Sequence, residues 1–152
     1  MAKLPKQYQF LDLSDYGRTA GNWIASQLKS TRATPIHVTS LFIVSGLVAI
    51  GCMLNDHYKT AAFFIILKSV LDAADGELSR LKNTPSYTGR YYDSIADFVL
   101  NFCFLLAFWY ITKISILYML IAFFAIQLQG TVYNYYYVIL RNSVHGDSTS
   151  RI

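Results

Sequence analysis

Asp72, Asp75, Asp93 and Asp97 are the residues through which this chain is equipped for chemistry. They fall within 26 residues, at the junction of two long apolar stretches. A carboxylate near lipid is costly, and four together call for bound charge of the opposite sign, most simply a divalent metal. Asp72 and Asp75 are three residues apart, Asp93 and Asp97 four apart. If both segments are helical, each pair lies on one helix face. Two such faces turned toward each other offer up to eight carboxylate oxygens, enough for two hard cations and poorly suited to soft ones. Metal held at a membrane surface points to phosphate chemistry on a lipid-related substrate.

The surrounding composition is that of a membrane protein. Of 152 residues, 54% are hydrophobic and 14% charged, against roughly 25% charged for soluble domains. Cys52 and Cys103 lie inside apolar runs without a CxxC spacing and read as buried free thiols. The basic residues behind the net charge of +4 are scattered along the chain. They fit anionic lipid headgroups and an anionic substrate, and no nucleic-acid partner is expected. The first thirty residues lack a continuous apolar core, so no secretory leader is expected there.

Three regions follow. Residues 1–34 are polar and basic, and Tyr16, Ala20, Trp23, Ile24 and Leu28 recur at helical spacing. That pattern predicts an amphipathic helix lying on the membrane surface, with a soluble-type helix packed on the body as the plainer alternative. Residues 35–142 form the membrane domain. Pro35 suits a helix start, and apolar segments over 36–54, 58–80, 89–111 and 114–139 predict four spans separated by polar turns. At 1.5 Å per residue the second is about 34 Å long, which sets Asp72 and Asp75 near one end. Residues 143–152 are a polar tail. The fold class is thus an all-α, polytopic transmembrane bundle with an interfacial N-terminal helix. Lys and Arg are concentrated in 1–34, the 80–90 loop and the tail, leaving Lys59 and Lys113 on the other side. The positive-inside rule then puts both termini and all four aspartates toward the cytoplasm, with a cell inner membrane as the expected location.

Residues 72–80 read D-A-A-D-G-E-L-S-R, and after eight more residues the chain continues G-R-Y-Y-D-S-I-A-D. This resembles the CDP-alcohol phosphatidyltransferase family, whose pattern is D-x2-D-G-x2-A-R-x8-G-x3-D-x3-D. Every spacing agrees, and the motif covers 26 of the 152 residues. The resemblance implies transfer of a phosphatidyl or other substituted phosphoryl group from a CDP-linked lipid or alcohol to a polar acceptor alcohol, with release of CMP, in phospholipid synthesis. It implies Mg²⁺ or Mn²⁺, as two ions, on Asp72, Asp75 and Asp93, with Asp97 as base and as a further metal ligand. Gly76 and Gly89 would let the nucleotide lie against backbone, and Arg80 would meet phosphate through its fork of donors. Ser79 stands where the family has alanine; it is small, and its hydroxyl can bond back to a helix carbonyl. The family is usually a homodimer with six membrane helices, whereas this sequence shows four.

Softer signals surround the motif. Pro35-Ile36-His37-Val38-Thr39 is similar to the family's Pro-Asn-x-x-Thr stretch, with Ile36 in place of asparagine. Thr39 and His37 are candidate polar neighbours of the nucleotide. Lys68, one turn before Asp72, is expected to snorkel or to pair with an aspartate. Gln127, Gln129, Asn134 and a tyrosine cluster make the last helix polar, and Arg141 is either a phosphate contact or a boundary arginine. Two other classes are weighed against the transferase: an inactive or truncated binding or scaffold relative, and a metal-ion transporter. A transporter would have no use for Gly76, Arg80 and Gly89.

Overall fold

The computed structural model describes residues 16–84 and 86–144; Lys3, Lys6, Pro85 and most of the polar tail lie outside them. The described residues form five helices and no strand: α1 (Arg18–Leu28), α2 (Pro35–Leu54), α3 (Tyr58–Leu81), α4 (Tyr87–Thr112) and α5 (Ile116–Ser143). Local chemistry sets the boundaries. Pro35 occupies the first turn of α2, and His37 Nδ1 accepts from the Thr34 amide at 3.1 Å, satisfying a donor that the helix cannot. The three turns joining α2 to α5 each contain one non-glycine residue in the left-handed region: Asp56, Asn83 and Lys113. Helix α4 begins two residues before Gly89 because Ser86 caps it, its hydroxyl accepting from the Gly89 amide at 3.0 Å. Helix α5 continues past residue 139 to Ser143.

Three of these helices, α2, α4 and α5, are long and apolar enough to cross a membrane. Helix α3 has the length, about 36 Å for its 24 residues. Its Lys59, Lys68, Asp72, Asp75, Glu77 and Arg80 keep it out of that group. The expected second span is therefore a continuous helix whose charge, concentrated in its last turns, breaks the apolar pattern.

Helix α2 is the centre of the bundle, packed on α3 and α4, while α1 lies on α3 and α5 touches only α4 among the described elements. Phe42, fully buried, packs with Ala96 and Leu100, and Met53 packs with Ala61 and Ala107 further along. Helices α2 and α4 come close at Gly46, where an added Cβ would stand 2.9 Å from the Leu100 methyls. Ser45, buried one residue earlier on α2, ties that helix to α3 by donating to the Phe64 carbonyl at 2.9 Å. Helix α5 is held through Phe123, whose ring meets Phe98 and Phe102 edge-on at 5.1 and 5.2 Å.

The face that α1 presents to the bundle differs from the expected apolar stripe. Gly17, Gly21 and Ala25 are buried against α3, with Ile24 and Leu28 at the edge of that contact. Tyr16, Ala20 and Trp23 are exposed, Trp23 to 66%. Small residues at i, i+4 and i+8 let the two backbones approach more closely than large apolar side chains would. A Cβ on Gly21 would lie 2.9 Å from the Ala73 Cβ and 3.0 Å from the Ala74 nitrogen, and a helix backbone cannot step aside. Gly21→Ala is therefore expected to lift α1 from α3 at a cost of about 1–3 kcal/mol, read as a lower melting temperature and faster proteolysis within α1. Unchanged stability and unchanged cleavage would contradict this packing.

Candidate metal and nucleotide site

The last three turns of α3 face the first turns of α4 across the entry of α2. Asp72 and Asp75 come from α3 and Asp93 from α4, and one oxygen of each lies within 4.8 Å of the others. Asp75 is 6% exposed, and its Oδ2 accepts from the Thr39 hydroxyl of α2 at 2.6 Å. Asp93 Oδ1 is buried without a hydrogen-bond partner. An acceptor removed from water and left unmatched is costly. Three carboxylate oxygens this close together suit a hard divalent cation. The residues present thus fit a metal ion.

Asp97 stands apart from the three-oxygen cluster. Its Oδ1 is ion-paired and hydrogen-bonded to Lys68 Nζ, from the middle of α3. The sequence left open whether Lys68 would snorkel or pair; it pairs with the last of the four motif aspartates. The opposed directions of α3 and α4 set this: the earlier Lys68 meets the later Asp97, while the later Asp72 and Asp75 meet the earlier Asp93. The Lys68 ammonium also lies over the Phe42 ring, 5.3 Å from its centroid.

Beside the carboxylates opens a cavity of about 700 Å³. Asp75 and Asp93 line it, as do Gly76, Ser79, Arg80 and Gly89, the four residues expected on the substrate side. Gly76 faces open space: an added Cβ there would meet only Arg80 Nη1, at 3.9 Å. Gly89 has a different reason to lack a side chain, since its Cβ would fall 2.9 Å from the capping Ser86 hydroxyl. The Ser79 hydroxyl is directed to the Thr84 carbonyl of the following loop, at 3.5 Å, not back along its own helix. From α2, Thr39 reaches the cavity, whereas His37 is used in the cap and does not line it.

Two features of the site were not singled out in the sequence. Arg80 Nε and Nη2 bond one oxygen of the buried Glu77, at 3.0 and 2.5 Å, so this arginine already has a counter-charge. The i, i+3 spacing on a helix was the available signal. Lys82 donates to the Thr31 and Ala33 carbonyls at 2.8 and 2.6 Å and ties the α1–α2 linker to the end of α3.

A family model for CDP-alcohol phosphatidyltransferase matches residues 32–149. The chain belongs to this family. No curated protein matches it. Membership makes it a membrane transferase acting on a CDP-alcohol, and the family's dependence on divalent metal agrees with the carboxylate cluster.

Thr39 is the side chain through which α2 holds Asp75. Thr39→Val keeps the shape and removes the donor, and is expected to weaken Mn²⁺ binding about tenfold or more, while Thr39→Ser retains most of it. Titration followed by Mn²⁺ paramagnetic resonance reads both. Equal affinity in Thr39→Val would show that the contact does not position Asp75 for metal.

Proposed function

We propose that this protein transfers a phosphatidyl or other substituted phosphoryl group from a CDP-alcohol to an acceptor alcohol and releases CMP, as a step of phospholipid synthesis. The observation that carries the reading is the convergence of three carboxylates from α3 and α4 at a cavity bordered by Gly76, Ser79, Arg80 and Gly89.

Asp72, Asp75 and Asp93 would hold Mg²⁺ or Mn²⁺, as two ions, with Asp97 available as a further ligand. Metal held there would supply Lewis-acid withdrawal of charge from the diphosphate and from the departing phosphate oxygen. The chain's own groups do the rest. Gly76 leaves room for the nucleotide against α3, and Arg80, held by Glu77, presents its remaining donors in a fixed direction. A new bond forms between the acceptor oxygen and the phosphorus attached to the alcohol, and the bond from that phosphorus to CMP breaks. Asp97 takes the acceptor's proton. Lys68 holds one of its oxygens and so orients the other, and the side chain is 39% exposed, open to an entering hydroxyl.

The same reading sets the protein in the membrane. Helix α3 crosses along with α2, α4 and α5, giving four spans. The charge-rich end of α3, the α3–α4 loop and both termini face the cytoplasm of a cell inner membrane. The exposed Tyr16 and Trp23 of α1 suit the headgroup region. Helix α5 packs only on α4 among the described helices, and its Gln129 and Asn134 are exposed. A homodimer covers such a surface better than lipid tails do.

The test is CMP release by the purified protein in vesicles containing CDP-diacylglycerol, Mg²⁺ and a panel of acceptor alcohols. Chelation is expected to abolish release. Asp97→Asn is expected to lower transfer by about a hundredfold or more while CDP-alcohol still binds, whereas Asp75→Asn is expected to lose metal-dependent binding itself. Binding without CMP release for every acceptor would favour a scaffold, and full turnover by Asp97→Asn would remove its role as base.

A further inference from the structure

Three cationic side chains line the cavity: Arg80, Lys82 and Arg90. Two are committed. Arg80 is paired to buried Glu77, and Lys82 has given two of its three donors to the Thr31 and Ala33 carbonyls. Arg90 has no ion pair and no side-chain hydrogen bond among the described residues; its guanidinium sits 5.9 Å from the centroid of the Tyr87 ring. It is exposed and lies three residues before Asp93, on the same side of α4 and one turn nearer the helix start. The cavity thus has a carboxylate end and, one turn away, a cation whose five donors are unused.

We infer that Arg90 binds a phosphate group of the substrate and that the site selects through it for a ligand with anionic charge beyond the part held at the carboxylates. This rests on the transferase reading above. A planar fork of N–H donors matches two phosphate oxygens at once, and Tyr87 limits the orientations the fork takes before the ligand arrives. An uncompensated arginine in an open cavity also raises the local concentration of anions. Two sources of that phosphate share the chemistry: the diphosphate of the donor, or a phosphate carried by the acceptor alcohol. Arg90 is in either case a binding residue that sets specificity; the proton is handled elsewhere.

The experiment compares the full chain with Arg90→Gln and Arg90→Lys in vesicles. Two quantities are measured: Mg²⁺-dependent affinity for CDP against CMP, and the KM for glycerol phosphate against glycerol as acceptor. Arg90→Gln is expected to lose about tenfold or more in one of them. A loss for CDP greater than for CMP assigns the donor diphosphate; a raised KM confined to the phosphorylated acceptor assigns the acceptor. Arg90→Lys should restore part of the loss, and the affected step should become less sensitive to salt in Arg90→Gln. A purely structural role would produce neither the charge rescue nor the flattened salt dependence. If the wild type binds CDP and turns over while Arg90→Gln matches it in both quantities, the Arg90 assignment is overturned alone. If the wild type binds neither CDP nor any acceptor with Mg²⁺, that assignment and the transferase reading fall together.

Discussion

Like charges brought close together in a poorly solvated place govern this structure. Asp72, Asp75 and Asp93 present oxygens within 4.8 Å of one another, and Asp93 buries one without a partner. Coulomb repulsion at that separation is only about 1 kcal/mol per pair in water but several-fold larger near a protein interior. No helix pair would hold such an arrangement for its own stability. The rest of the bundle fixes α3 and α4 against a common support, and a cation at the cluster would convert the repulsion into binding.

That support is α2. Its first turns give Thr39 to Asp75, its middle closes on α4 through Gly46 and Leu100, and Ser45 secures α3 at Phe64. Helix α1 adds a second brace from outside, with Gly17 and Gly21 set against residues 69–74 of α3, the turn that carries Asp72. Lys82 closes the arrangement by binding the linker between α1 and α2. Lys68 on one side and Glu77 on the other balance Asp97 and Arg80 locally. Asp72, Asp75 and Asp93 are the carboxylates whose oxygens face one another.

The motif carries a great deal of this on its own. Its Asp–Asp spacings fix which face of each helix is acidic, and the turns at Asp56, Asn83 and Lys113 are visible as breaks in apolar runs. What was not legible depends on how helices cross. Spacing alone treats Asp97 as equivalent to Asp93, but the way α4 is set beside α3 delivers it to Lys68. Hydrophobic periodicity marked Tyr16, Ala20, Trp23, Ile24 and Leu28 as one apolar face for the membrane surface, and it could not show which residues of α1 meet α3. Close helix contact rewards small residues, and Gly17, Gly21 and Ala25 are the residues inside. Gly89 was read as room for a ligand, while its nearest obstacle is the Ser86 cap of its own helix.

That three carboxylates from two helices form one cation site is the central proposal, and the chemistry proposed for the protein follows from it. Calorimetric titration of Mn²⁺ into the wild type and into Asp72→Asn, Asp93→Asn, their double variant and Lys68→Met tests it most directly. Each single aspartate variant is expected to lose about tenfold or more in affinity. The double variant should lose little beyond the weaker single, since the site fails as a unit. Lys68→Met, which removes the partner of Asp97, should retain a binding event. Wild-type affinity in both Asp72→Asn and Asp93→Asn would contradict a shared site.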